Sequence, residues 1–185
     1  GDGEAVWHAD MTYQEIPPKA GILYALEVPE NQGNTHFANM TLAYDELPYR
    51  LKEKIDGKIL IHDSAHNSAG MLRKGYLEVD NPSETPGARH PMIIKDNNTK
   101  KKLLFLGRRP HAYIIGMEIE ESENLLDQIW EHATQEKFTW TQKWEKDDLL
   151  MWKNLNVLHK RDAFDPNTRR IMHRTQLKGE MKISA

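Results

Sequence analysis

His8 and Asp10 stand two residues apart near the start of the chain. In an extended segment residues i and i+2 face the same way, so both side chains can reach one cation. With nine histidines in the sequence, a single His-x-Asp arises readily by chance, and the pair carries weight only with a third ligand. Two histidines and a carboxylate on one face of an octahedral ion leave three positions open, the arrangement of non-haem Fe(II) oxygenases. His159 is the candidate third ligand, ahead of His62, His90, His111 and His173, because a strand rich in arginine comes next in the chain. In a strand over Arg170-Ile171-Met172-His173-Arg174, Arg170, Met172 and Arg174 share one side, while Arg169, Ile171 and His173 share the other. Two arginines flanking an apolar residue on one face are costly unless each meets an anion. A guanidinium suits a carboxylate in two-pronged geometry. Ordinary salt bridges with some of the 28 acidic residues would also satisfy them.

Composition narrows the chemistry. The 185 residues are enough for one domain with a real core. A net charge of -3 with interspersed signs gives no footprint for nucleic acid or an anionic membrane, so any anion must be bound locally. The absence of cysteine excludes disulfides, thiolate zinc and iron-sulfur sites, leaves nitrogen and oxygen ligands for a metal, and is consistent with a reduced, cytoplasmic setting. No run of about 18 apolar residues and no basic-then-apolar leader is present, so no membrane span is expected. A homo-oligomer is compatible with all of this.

The elements that must position the candidate residues read mainly as strands. Residues 20–28 predict a largely buried strand after the stiff Pro17-Pro18 turn, and residues 35–38 a short strand after an Asn31-Gln32-Gly33-Asn34 turn. The pattern turns helical from Asn39 or Thr41 to Leu47, and Pro48 starts a second helix that ends near Gly57. Residues 58–62 form another strand. Residues 63–89, rich in Ser, Asn, Gly and Pro, read as a long loop, either an active-site lid or a disordered segment. Residues 91–95 and 103–106 predict a hairpin. One amphipathic helix spans about 122–134, with Ser122 as its cap and Leu125, Leu126, Ile129, Trp130 and Ala133 as its apolar stripe. Four strand candidates come after it, at 138–144, 149–152, 157–160 and 169–177, the last two forming a closing strand pair. The sum is a mainly β fold with flanking helices, a sandwich or open barrel.

Trp7-His8-Ala9-Asp10-Met11-Thr12-Tyr13, Gly33-Asn34-Thr35, Asp148-Leu149-Leu150-Met151-Trp152-Lys153-Asn154, His159 and Arg169-Arg170-Ile171-Met172-His173-Arg174 resemble, in order, the motifs of the taurine dioxygenase and 2,4-dichlorophenoxyacetate dioxygenase family. The resemblance runs from Trp7 to about Gly179. It implies a double-stranded β-helix (jelly roll, cupin-like) forming a single oxygenase domain over residues 1–185, with an amino-terminal segment not shown. It also implies an enzyme that uses Fe(II), 2-oxoglutarate and O2, with ascorbate helpful in vitro. By the family's pattern His8, Asp10 and His159 match the iron ligands, and Thr35 and Arg170 match the residues on the distal carboxylate of 2-oxoglutarate. Arg174 matches a residue that holds an acidic group of substrate or co-substrate. The Met11 backbone and Phe37 fall where members line the substrate pocket. The chain departs from the pattern at Lys153 and Leu155, where Asp and Arg are usual, and at Asp147-Asp148, where Gly-Asp is common.

The implied reaction is hydroxylation of a small, anionic organic substrate, a sulfonate, aryloxyacid or similar, with release of succinate and CO2. Two other readings stand beside it: a catalytically silent jelly-roll binding module, and a zinc hydrolase, since His/Asp/His also suits zinc with an open position. The paired arginines speak against the hydrolase, which needs no dicarboxylate clamp. His62, His66, His90, His111 and His132 are expected to be structural or surface histidines.

Overall fold

The computed structural model describes residues 6–67 and 70–184. Residues 1–5, and residues 68 and 69 of the expected long loop, lie outside the described residues. Among the described residues, eleven strands and three α-helices are arranged in a mainly β architecture: β1 (Ala20–Glu27), β2 (Thr35–Asn39), α1 (Met40–Asp45), α2 (Tyr49–Ile55), β3 (Ile59–Asp63), β4 (Gly87–Pro91), β5 (Ile93–Lys95), β6 (Lys102–Leu104), β7 (Tyr113–Ile114), α3 (Ile119–Ala133), β8 (Thr139–Gln142), β9 (Leu149–Lys153), β10 (Val157–Arg161) and β11 (Ile171–Leu177). Among the described residues no helix is long and apolar enough to cross a membrane.

Three antiparallel sheets take the orders β11-β1-β9, β10-β2-β8 and β4-β3-β7, and β5 pairs with β6. The last two strands are therefore not partners, contrary to the expected closing pair. β10 pairs with β2 and β11 with β1, which places His159 and Arg174 on different sheets, with Arg170 just ahead of β11. What joins these sheets is aromatic packing. Trp152 of β9 reaches Phe37 of β2, ring centroids 5.4 Å apart, and the indole lies across Gly21 of β1. A Cβ at position 21 would meet Trp152 Cζ2 at 2.4 Å, so only glycine leaves room there.

The helices flank the third sheet and the hairpin. Met40, Ala43, Leu51, Ile55, Leu125, Leu126 and Ile129 join Leu60, Met92, Leu103, Leu104 and Phe105 in one buried cluster, which supplies the apolar burial that holds the scaffold. Asn39 caps α1 by accepting from Thr41 N and Leu42 N. Ser122 does not cap α3: the helix begins at Ile119 after Glu118, and Ser122, fully buried in its first turn, accepts from Ile114 N at 2.9 Å. Its hydroxyl thus docks the helix onto β7. β1 is less buried than expected, with only Ala20, Gly21 and Ala25 fully inside, and Trp140 on β8 is exposed, stacked on Phe37.

Within residues 63–89 the described backbone holds a bridge between His66 and Leu72, a short 3-10 turn at Pro82–Glu84 and strand β4.

Candidate active site

The extended segment around His8 is held on both edges. His8 N donates to His159 O (2.9 Å) and His159 N to His8 O (2.7 Å), while Ala9 N donates to Gly107 O (3.0 Å). This pairing brings the imidazoles of His8 and His159 together, with centroids 4.3 Å apart and the planes tilted by 47°. Asp10 lies on the same face, as the i, i+2 spacing requires. Its Oδ1 lies 3.7 Å from His8 Nε2 and 3.6 Å from His159 Nε2. One donor atom from each of the three buried residues falls within 4.8 Å of the others, the single such group among the described residues. None of the other histidines joins it. His90 donates to Thr12 O (2.9 Å), His132 donates to Ala43 O (2.8 Å), and His66 stacks on His111.

The donor set fits a divalent cation. His8 Nδ1 lies 2.8 Å from Val6 O; a carbonyl only accepts, so the proton sits on Nδ1 and the Nε2 lone pair faces the site. Burial, and after it the charge of His8, push the His159 pKa down to about 3, so its ring is neutral and able to ligate. Burial opposes ionisation of Asp10, yet its surroundings hold the carboxyl below the usual range. The hydrogen bond with His8 lowers it most, and the Arg174 guanidinium, in contact with Asp10 Oδ1, acts in the same direction. Asp10 Oδ2 is buried with no hydrogen-bond partner, as a carboxylate built for a metal would be.

Beside His159 a cavity of about 270 Å³ is lined by Thr35, Arg170, Arg174, Met172, Leu23 and Trp152, and also by Lys160 and Arg161. It lies between β2 and β10 of one sheet and β11 of the other. Arg170 Nε donates to Gly33 O (3.1 Å). Gly33 has φ +63°, and a Cβ there would come within 2.9 Å of Arg170 Cδ, so this turn glycine makes room for the arginine. Thr35 Oγ1 accepts from Trp144 Nε1 (2.9 Å), which occupies a lone pair and turns the hydroxyl proton elsewhere. Sequence reasoning did not single out Trp144, Lys160 or Arg161. Phe37 and Met11 line no wall of this cavity: Phe37 stacks against His159 with centroids 6.0 Å apart, and Met11 turns the chain after Asp10 at φ 51°.

The family described as "Taurine catabolism dioxygenase TauD, TfdA family" matches residues 1–176. The chain belongs to the TauD/TfdA family. It is 32% identical over 174 residues to an alpha-ketoglutarate-dependent 2,4-dichlorophenoxyacetate dioxygenase of a Burkholderia species, covering 94% of this chain and 58% of that protein. It is also 32% identical over 184 residues to a (S)-phenoxypropionate/alpha-ketoglutarate-dioxygenase of Sphingobium herbicidovorans, covering 96% and 63%. The chain thus spans less than two thirds of the length of these relatives. Among solved structures it is similar to AAD-2 in complex with Mn(II) and N-oxalylglycine, with a TM-score of 0.86 and 30% identity over 99% of this chain and 72% of the other.

Asn154 of this TauD/TfdA member, to which sequence reasoning gives no role, is fully buried at the end of β9. Its Oδ1 accepts from Asp10 N (2.8 Å) and its Nδ2 donates to Asp10 O and Pro18 O (both 2.9 Å). The side chain therefore grips both backbone groups of the candidate carboxylate ligand. The signal was present in the motif beside Trp152, but nothing in the sequence says that it reaches residue 10. Asn154→Ala should lower affinity for a divalent metal about 10- to 100-fold, as for other groups that orient a ligand. Metal titration with circular dichroism as a control for folding checks this, and equal affinity in Asn154→Ala would refute it.

Departures from the TauD/TfdA pattern are absorbed locally. Lys153 and Asn156 both donate to Asp96 Oδ2, at 3.0 and 2.9 Å, tying the β5–β6 hairpin to the turn that carries Asn154.

Proposed function

We propose that this protein is an Fe(II)- and 2-oxoglutarate-dependent dioxygenase that hydroxylates a small anionic organic substrate, a sulfonate, aryloxyacid or similar, on a double-stranded β-helix scaffold. The observation that carries the reading is the juxtaposition of the buried His8, Asp10 and His159 donor set with a cavity bearing Arg170 and Thr35. The names of the relatives support it: each is an alpha-ketoglutarate dioxygenase of an aryloxy acid. A zinc hydrolase has no use for the arginine-threonine cavity, and a silent module has no use for a buried carboxylate oxygen without a partner.

In this reading His8 and His159 supply neutral nitrogen ligands and Asp10 one negative charge. Bound Fe(II), with 2-oxoglutarate and O2, supplies the oxidising power for C–H hydroxylation, with succinate and CO2 as co-products. The protein's part is placement. Gly33 O holds Arg170 through Nε, and the guanidinium fork suits the two oxygens of the distal carboxylate. Thr35, its lone pair taken by Trp144, donates its proton to the same carboxylate. Held at two points, the co-substrate loses orientational freedom before reaction, the main source of advantage in such sites. Leu23, Met172 and Trp152 form the apolar walls that keep water from it. Arg174 lines the cavity and also contacts Asp10, so a cation on the triad and this guanidinium compete for the same oxygen. Residues 70–89, which send Arg73 over Tyr13, act as a lid in this reading.

The test is succinate formation from 2-oxoglutarate by protein supplied with Fe(II) and ascorbate under air, across a panel of sulfonates, aryloxyacids and other small acids. Substrate-stimulated succinate release is expected; no Fe(II) binding together with no turnover on any acid would overturn the proposal.

A further inference from the structure

The two histidines of the metal donor set are held by different means. A ligating imidazole ordinarily donates its second ring N–H to an oxygen, which fixes the orientation of the ring. His8 follows this rule through Val6 O, 2.8 Å from its Nδ1. His159 does not. Its Nε2 is turned toward Asp10, 3.6 Å from Oδ1, while its Nδ1 is buried and, among the described residues, has no hydrogen-bond partner. The second torsion of a histidine is broad, so a rotation of this ring would put a carbon where Nε2 faces the site. The restraint on His159 must come from packing.

Aromatic rings meet His159 from three directions. Phe37 is its direct partner across β2 and β10, and the two rings lie 6.0 Å apart with planes 24° from parallel. His8 meets it at the other edge of β10. From the facing sheet Trp152 comes to 5.1 Å, tilted by 55°. These separations are those at which offset and tilted ring pairs attract. Both neighbours are themselves seated. Trp152 lies against Gly21, where any side chain would displace the indole. Trp140 is the partner of Phe37 on its other edge and stacks on it at 5.8 Å, which gives an exposed indole the task of backing a buried ring. Directly opposed residues of antiparallel strands share a face, so Trp140, Phe37, His159 and His8 form one row of rings that ends at the metal donor set.

We propose that Phe37 and Trp152 are positioning residues for a metal ligand: they hold the His159 imidazole with Nε2 aimed at the cation, in place of the hydrogen bond that His8 has. This rests on the metal-binding reading of His8, Asp10 and His159. Leucine at either position keeps apolar bulk but presents no flat face, and the imidazole then gains rotational freedom that metal binding has to remove.

The experiment is calorimetric titration of the protein with Mn(II), together with the visible absorption of the Co(II)-loaded form, whose bands report ligand geometry. Phe37→Leu and Trp152→Leu are each expected to bind Mn(II) about 10-fold more weakly, the low end of what loss of an orienting partner costs, with altered Co(II) bands. Phe37→Tyr and Trp152→Phe, which keep a ring, should stay within about 3-fold of wild type and retain its Co(II) bands. Circular dichroism and thermal unfolding show which variants fold. A merely structural role would lower the unfolding temperature of the leucine variants and leave Mn(II) affinity and Co(II) bands as in wild type. That result in either folded leucine variant overturns this proposal alone, as does a loss that the ring-bearing replacements do not recover. Should neither leucine variant fold, Gly21→Ala decides, because it displaces Trp152 from β1: wild-type affinity and bands in it overturn the proposal. Failure of wild type to bind Mn(II) or Co(II) overturns the metal-binding reading and this one with it.

Discussion

A His159→Ala variant should lose iron-dependent succinate formation altogether and bind divalent metal at least about 100-fold more weakly than wild type, exceeding the loss seen when only a supporting partner of a ligand is removed. The backbone of β10 contributes its own hydrogen bonds to His8 and to β2, so alanine keeps the strand in place and removes only the imidazole. What remains is a two-ligand site in which Asp10 still meets Arg174, a cation fixed by the chain that a weakly held metal must displace. Metal titration beside the succinate assay reads both effects, with thermal unfolding as the control for structure. Wild-type metal affinity or turnover in this variant would remove His159 from the site.

Arg170→Ala should act on the other half of the site. Truncating one partner of a desolvated charge pair costs about 2–5 kcal/mol, so the 2-oxoglutarate concentration needed for half-maximal rate should rise about 30-fold or more. Metal affinity should hold, since Arg170 is not one of the three candidate ligands and its Nε donates to Gly33 O. Arg170→Lys should recover little, because an ammonium cannot present the two parallel donors of the fork. An unchanged requirement for 2-oxoglutarate would place the co-substrate elsewhere.

Much of this site was legible before any coordinates. The His-x-Asp spacing and the alternation of Arg170, Met172 and Arg174 are local properties of extended chain, and local periodicity is what a sequence states most directly. The structure keeps both: Asp10 sits within 4 Å of both imidazoles, and Arg170, Met172 and Arg174 line one cavity. What was not legible is which strands lie side by side. β10 and β11 are consecutive in sequence and read as a pair, but each pairs with a strand from the first quarter of the chain, a long-range choice that local periodicity does not carry. Asn154 was missed for the same reason, since its hydrogen bonds span 144 residues. Ser122 misled in another way. A serine before an apolar stripe is a good cap signal, yet its hydroxyl serves β7 because burial there gave it a better use. Asp147, a departure from the family's glycine, has φ 71°, which explains why glycine suits that position; Asp is among the residues that tolerate the left-handed region, and Tyr24 donates to its carboxylate at 2.7 Å.

The bridge of His8 to Arg108 on one edge and His159 on the other has a consequence for biosynthesis. The His8 segment is clamped between two segments made much later, so on the ribosome it waits with an unpaired edge until β10 has emerged. Contacts of such long sequence separation make for slow folding and expose sticky intermediates meanwhile. His159, the last of the three candidate ligands to be made, lies on β10, so the donor set is complete only once that strand has paired with the His8 segment.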